Sequence, residues 1–223
     1  MERMITDKRT ITVKGIGKAS VKPDSTVVTV TLDALKADSS AAMELAEHQS
    51  AALKAALGKC GISEKEIKTT DFDVSVVNKS ERDQYGNYTP VFVGIRCRHA
   101  LRVAFDFDMA RLGAVLSALA TCDAEPEYEV RFTVKDKTAV SAALLENAAG
   151  DAKARAEILT RASGVKLGEL LNIDYNFREL DANSPTRFAA CELSAMDGAA
   201  RSMNITPDDV NVSDTVAFTW EIF

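Results

Sequence analysis

The chain has 223 residues, of which 46% are hydrophobic and 27% are charged. This length can bury a sizeable core, and the composition is ordinary for a globular protein. The net charge of −6 argues against a general nucleic-acid binder, which usually carries a basic balance. The longest apolar stretch, residues 112–120, is far shorter than the roughly 20 residues that span a bilayer. We therefore expect no nucleic-acid partner and no membrane span.

Two strands are predicted between residues 10 and 34. Residues 28–34 alternate with period two, as in a strand with one buried face. The turn-prone pair Pro23-Asp24 precedes the second alternating run, and Gly15-Ile16-Gly17 predicts a bulge or tight turn joining two strands. This glycine segment resembles a phosphate loop only superficially, because Thr12 stands where a Walker A motif needs glycine.

A helix and a long hairpin are predicted next. The helix covers residues 38–60, with Gly61 as its C-terminal stop. Period-two alternation then predicts strands at residues 67–77 and 91–105, joined by a polar loop. The second strand is expected to bend or bulge at Gly94, because glycine weakens a strand.

The longest helix is predicted at residues 138–163, after a shorter helix capped by Asp106 or Asp108 and a strand at residues 128–134. Small residues let its backbone lie close to whatever it covers. The predicted stripe consists of Leu145, Ala148, Ala149, Ala152, Ala156, Leu159 and Ala162.

The chain ends in two further predicted strands with an irregular connection between them. The first, at residues 171–177, alternates apolar and polar positions, and the second places Val216, Phe218, Trp220 and Ile222 on one face. Residues 178–206 break the periodicity and are rich in turn residues. A connection this long is usually functional or disordered.

The predicted order, ββ-α-ββ-α-β-α-ββ, indicates an α+β protein with mostly antiparallel sheets packed against three helices. We expect a flexible tail at residues 1–9, followed by one domain at residues 10–223. Within that domain we distinguish sub-regions 10–105 and 106–223 and an irregular insertion at residues 178–206.

Four segments together resemble the SIMPL-domain, or YggE-like, family over nearly the whole chain. They are ITVKGIGKASVKPD, GISEKEIKTTDF, AAGDAKARAEILTRASGVKLGEL and ITPDDVNVSDTVAFTWEI. The resemblance implies a bacterial protein that forms assemblies and is linked to oxidative-stress tolerance. It implies no catalytic residue set that could be carried over to positions of this chain.

The resemblance also bears on location, because many family members are exported. The segment MERMITDKRT contains charges but no apolar h-region, so no signal peptide is predicted. The sequence as it stands therefore predicts a cytoplasmic protein. A periplasmic or cell-surface location is the alternative if a leader was removed.

No catalytic, metal or cofactor site is recognised. His99 is predicted on the apolar face of its strand, as a buried, hydrogen-bonded histidine rather than a catalytic base. Asp71 and Asp73 share a strand face, where pairing with arginines is favoured over metal binding or acid–base chemistry. The two histidines and four cysteines show no zinc-type ligand spacing.

The thiols are expected to be reduced, because a chain of this length does not need disulfides for stability. Cys60 and Cys122 lie near predicted helix C-termini, where the helix dipole disfavours a thiolate. Cys97 is predicted to be buried. Cys191, in the irregular segment, is therefore the candidate reactive thiol.

Arg96, Arg98 and Arg102 form the one concentrated basic feature of this acidic chain. Strand alternation places all three on the face opposite His99. Pairing with Asp71 and Asp73 across the hairpin is the structural interpretation. A site for an anion or an acidic partner is the functional one, because guanidinium groups bind carboxylates and phosphates bidentately.

Two hypotheses for function remain at this point. The first is a non-enzymatic, oligomerising interaction or scaffold protein, a homo-oligomer in which edge strands mediate the contacts. The second is a small-ligand (anion) binding protein or an enzyme with its site between the sheet and residues 178–206. A deep pocket lined by His99 or the arginines would favour the second hypothesis, whereas a shallow surface with large symmetric contacts would favour the first.

Overall fold

A computed structural model of the chain describes residues 9–82, 87–189 and 206–223. Within them lie three α-helices and eight strands in two antiparallel sheets, so the predicted α+β class is confirmed. The helices are α1 (Ser39–Lys59), α2 (Met109–Ala120) and α3 (Lys137–Ala162). The strands are β1 (Thr10–Val21), β2 (Ser25–Lys36), β3 (Ile67–Arg82), β4 (Tyr88–Asp106), β5 (Glu127–Thr133), β6 (Leu167–Asp174), β7 (Asn183–Ala189) and β8 (Val210–Ile222).

The elements divide into two compact units. Of the described residues, unit 1 contains 9–23, 134–185 and 208–223, and unit 2 contains 24–82, 87–133, 186–189 and 206–207. Unit 1 has a three-stranded sheet in the order β1-β8-β6. The second sheet has the order β3-β4-β2-β5-β7, and β2, β3, β4 and β5 belong entirely to unit 2. These units differ from the sub-regions 10–105 and 106–223, because β1 pairs with β8 from the opposite end of the chain.

Capping residues set the helix ends as the sequence predicts. The side chain of Asp38 accepts a hydrogen bond from the backbone N–H of Ala41, and Asp108, rather than Asp106, caps α2. Gly61 follows α1 with a φ of 77°, and Gly164 follows α3 with a φ of 71°. Glycine adopts this left-handed conformation without the steric cost that other residues meet.

The predicted bulge or tight turn at Gly15-Ile16-Gly17 is wrong. β1 runs through this segment and pairs with β8 without a shift in register, from Thr10 opposite Glu221 to Val21 opposite Val210. The glycines are needed for a different reason. A Cβ atom on Gly15 would lie 1.9 Å from the carbonyl oxygen of Ala148, so α3 lies directly on the β1 backbone.

The face by which α3 packs in unit 1 is narrower than predicted. Its buried residues follow each other at intervals of four: Val140, Leu144, Ala148, Ala152, Ala156 and Thr160. Leu159, which the sequence placed in the stripe, is 48% exposed. The small side chains bring α3 close to β1, as the composition of the stripe predicts.

Unit 2 has the larger core, under α1 and α2. The inner face of β2, residues 28–34, is buried as predicted, together with apolar residues of β4 and β5. The hairpin of β3 and β4 is confirmed, and both strands run farther than expected, to Arg82 and from Tyr88. β4 has an extra residue where Gly94 pairs with Val77, so the predicted irregularity at Gly94 is also confirmed.

The final part of the chain differs from the prediction. Asn183–Ala189 form β7, so this stretch of the predicted irregular segment is in fact a strand. The predicted strand at residues 171–177 begins and ends earlier, at Leu167 and Asp174. The order of elements is therefore ββ-α-ββ-α-β-α-βββ. Residues 190–205 lie outside the described part of the chain.

Candidate functional site

The long edge of the unit 2 sheet exposes apolar side chains to solvent. β3 is an outermost strand of 16 residues, and β4 is the one described strand that pairs with it. Phe72, Val74 and Val76 lie on one face of β3 and are 47%, 45% and 59% exposed. The sequence predicts their common face correctly, but it gives no sign that the face would remain uncovered.

A groove opens between α1 and this face of the hairpin. Its volume is about 620 Å³, within the range of ligand pockets. α1 contributes mainly short side chains, including Ala46, Ser50 and Ala51, while Phe72 and His99 line the groove from the strands. The groove exists because alanine and serine stand at positions of α1 where larger residues would contact β3.

His99 is half-buried in the groove and hydrogen-bonded. Its Nε2 lies 2.9 Å from the hydroxyl oxygen of Thr69, and the Phe72 ring packs edge-to-face against it at 5.2 Å. Burial lowers the pKa of His99, and the positive charge of Lys54 on α1 lowers it further. The ring is therefore neutral at neutral pH. The predicted hydrogen bond of His99 is present, and the ring is less buried than expected.

The arginine row lies on the opposite face of the sheet. Arg98 faces Asp73 of β3 on one side and Asp33 of β2 on the other. The Nε atom of Arg96 lies 3.2 Å from a carboxylate oxygen of Asp33. These positions are compatible with charge pairing. Asp33 is the partner that the sequence reasoning missed, since it lies two strands away from Asp73.

Arg102 differs from the other two arginines. Its neighbours across the strands are Lys68 of β3 and Thr29 of β2. Neither neighbour carries a negative charge, and Lys68 repels the guanidinium group. Binding of an anion by Arg96, Arg98 and Arg102 remains a prediction.

A comparison with known protein families shows which family the chain belongs to. The family model for SIMPL, a protein of unknown function (DUF541), matches residues 11–220. This chain belongs to the SIMPL family. The match confirms the resemblance seen in the four sequence segments. No curated protein matches the chain.

The described thiols of this SIMPL protein are not exposed. Cys97 is buried, as predicted, and its pKa is raised by burial and then by the negative charges of Asp73 and Asp33. Cys60 and Cys122 are half-buried. Cys191, the candidate reactive thiol, lies outside the described residues, and its reactivity remains a prediction.

A second, more polar cleft lies within unit 1. It has a volume of about 460 Å³ and is lined by residues 176 and 178–181 and by residues 211–215 of β8. This is where the predicted irregular segment begins. Arg178 is the only basic residue in the lining and stands among Glu179, Asp181 and Asp214. The lining therefore carries three carboxylates and one guanidinium group.

Two searches of the described residues bear on other kinds of site. No group of three or more histidine, cysteine, aspartate or glutamate side chains in residues 9–82, 87–189 and 206–223 is arranged to hold a metal ion. None of the helices described there is long and apolar enough to cross a membrane.

The sequence reasoning missed two features of this SIMPL protein. The first is the groove, whose sequence signal is the run of short residues on α1 around Lys54. The second is a pair of hydrogen bonds from α3 to the outer edge of β1. Asp151 of α3 accepts a hydrogen bond of 2.8 Å from the backbone N–H of Ile16, and the amide of Asn147 donates to the carbonyl of Lys18. No sequence pattern pointed to these two contacts.

Proposed function

We propose that this SIMPL protein is a non-enzymatic scaffold that self-associates through the edge of β3. The observation that carries the proposal is the exposure of Phe72, Val74 and Val76 on a long outermost strand. Such an edge presents unpaired N–H and C=O groups together with apolar side chains, which favours pairing with another strand. The proposed link with oxidative-stress tolerance rests on the family resemblance alone.

Two-fold antiparallel pairing of β3 with a second copy is compatible with the sequence of the strand. If the axis passes through Val74, Phe72 of one copy lies opposite Val76 of the other. Aromatic and β-branched residues make favourable cross-strand pairs. On the other face, Asp73 lies opposite Ser75 and Asp71 opposite Val77, so no like charges face each other between residues 71 and 77.

Light scattering after size-exclusion chromatography tests the proposal. At tens of micromolar, a conventional order of magnitude for micromolar affinities, we expect a dimer or a larger assembly. The double variant Val74→Lys/Val76→Lys should be a monomer, because lysine on an edge strand opposes pairing. A native chain that elutes as a monomer would contradict the proposal, as would a double variant that still associates.

Ile16→Lys is the matched control. Ile16 is also a partly exposed β-branched residue on an outermost strand, but α3 contacts the open edge of that strand. We expect this variant to associate like the native chain. Equal loss of association in Ile16→Lys and in the double variant would indicate a general effect of added charge.

A further inference from the structure

The groove between α1 and the hairpin combines an apolar lining with a positive charge. Phe72, Ala46, Ala51 and Met43 provide the apolar surface. Lys54 is half-buried and forms no ion pair with any described residue. An ammonium group without an ion-pair partner beside an apolar surface can attract a negatively charged ligand that also has an apolar part.

The lining also carries two carboxylates, those of Glu47 and Glu64, against the single ammonium group of Lys54. Glu47 and Glu64 are exposed at the groove, and neither lies within ion-pair distance of Lys54. Lys54 lines the groove together with Phe72 and His99, so it stands beside the apolar lining.

We propose that this groove binds a carboxylate that carries an apolar chain or ring, with the carboxylate at Lys54 and the apolar part against Phe72 and the alanines of α1. The volume of about 620 Å³ is ample for a medium-chain fatty acid or an aromatic acid of similar size. The site lies on the face of the sheet opposite the arginine row. This inference goes beyond self-association and does not depend on it.

Three probes with an eight-carbon alkyl chain and different head groups test which ligand charge the groove prefers. Octanoate, octanol and octylamine are titrated into the full-length protein, and binding is followed by NMR chemical shifts. Octanoate should bind most tightly, and octanol more weakly. Tighter binding of octylamine would show that Glu47 and Glu64 determine the selectivity and would overturn the proposal, as would a failure of octanoate to bind.

Substitutions of Lys54 and of Ala51 test whether the ligand binds in this groove. Lys54→Met keeps an unbranched apolar side chain and should weaken octanoate binding at least about tenfold, the loss expected for a charge-assisted hydrogen bond, with octanol unaffected. Lys68→Met is the matched control, since Lys68 is an exposed lysine of β3 on the opposite face. Unchanged octanoate affinity in Lys54→Met would contradict the proposal.

Ala51→Leu tests the groove itself. Ala51 is exposed on α1 and lines the groove, so leucine should fill space there without disturbing the helix. We expect octanoate and octanol binding to be lost while the melting temperature is retained. Retained binding in a folded Ala51→Leu protein would place the ligand elsewhere and overturn the assignment. Light scattering on the same samples records self-association separately.

Discussion

β1 and β3 are both outermost strands, yet their free edges differ. α3 contacts the edge of β1: Asp151 accepts from the backbone N–H of Ile16, and Asn147 donates to the carbonyl of Lys18. β3 has no neighbouring strand beyond β4 in the described chain, and its exposed face is apolar. Natural proteins usually protect a long edge. An unprotected one therefore suggests a surface that is used.

The difference arises from side-chain size at two helix–sheet contacts. In unit 1, Gly15 and Gly17 together with the alanines of α3 allow the helix backbone to touch the strand. In unit 2, α1 packs on β2 and β4, and its short residues facing β3 leave a groove instead. Small helix residues thus allow close contact with a strand that has glycines, and they leave a groove beside a strand that carries Phe72.

Adding a methyl group at the contact between α3 and β1 should have the largest effect on stability. A Cβ atom on Gly17 would lie 1.9 Å from the carbonyl oxygen of Leu144, so Gly17→Ala forces α3 away from β1. We expect a loss of about 1–3 kcal/mol in the free energy of unfolding, the usual cost of overpacking. Urea unfolding followed by the fluorescence of Trp220, the single tryptophan, reports on this core.

Gly150→Ala provides the control within the same helix. A Cβ atom there would meet no atom within 4 Å. Alanine should raise the free energy of unfolding by about 0.5–1 kcal/mol, because glycine is costly inside a helix. Equal stability changes in Gly17→Ala and Gly150→Ala would show that α3 does not need to lie so close to β1.

The sequence predicted local structure better than it predicted which surfaces are covered. Capping aspartates, stop glycines and period-two alternation each depend on neighbouring residues, and they located most helices and strands. The role of Gly15 and Gly17 depends on α3, more than 120 residues farther along the chain. In the same way, alternation put Phe72, Val74 and Val76 on one face, but burial of that face depends on where α1 lies. The groove could not be predicted for this reason.

Removing the charge of Asp151, which bonds the outer edge of β1, should lower the free energy of unfolding by less than Gly17→Ala does. The backbone N–H of Ile16, followed by Arg155, lowers the pKa of this carboxyl below its ordinary value of 3.8. A lowered pKa in the folded state means that the stabilisation is present above about pH 4. It is then lost as the pH falls through the folded value. Asp151→Asn should therefore be less stable than the native protein at pH 7.

The stability difference between Asp151→Asn and the native protein should shrink as the pH approaches 3. Urea titrations at a series of pH values measure it. Glu146→Gln is the control, since it removes one negative charge from an exposed position of α3. A difference that is independent of pH, or an equal loss in Glu146→Gln, would show that the charge of Asp151 does not stabilise the edge.

We expect the smallest change in stability for the arginine row of β4. This row lies on the face of the unit 2 sheet opposite Phe72 and His99. If Arg96 and Arg98 pair with Asp33 and Asp73, replacing both arginines by serine should lower the free energy of unfolding. The loss should be about 1 kcal/mol or less per pair, because the Arg96–Asp33 side chains are 42% and 45% exposed. High salt should reduce the loss further, since it screens exposed pairs.

Arg102→Ser separates pairing from anion binding. Arg102 faces Lys68 and Thr29, so its removal should leave stability unchanged or raise it slightly by relieving repulsion. If the three arginines instead form a binding site, the double variant should keep its stability and lose affinity for poly-glutamate, and Arg102→Ser should also bind poly-glutamate more weakly. Unfolding curves and poly-glutamate titrations on the same variants distinguish the two roles. If neither stability nor binding changes in the double variant, both interpretations of the row are wrong.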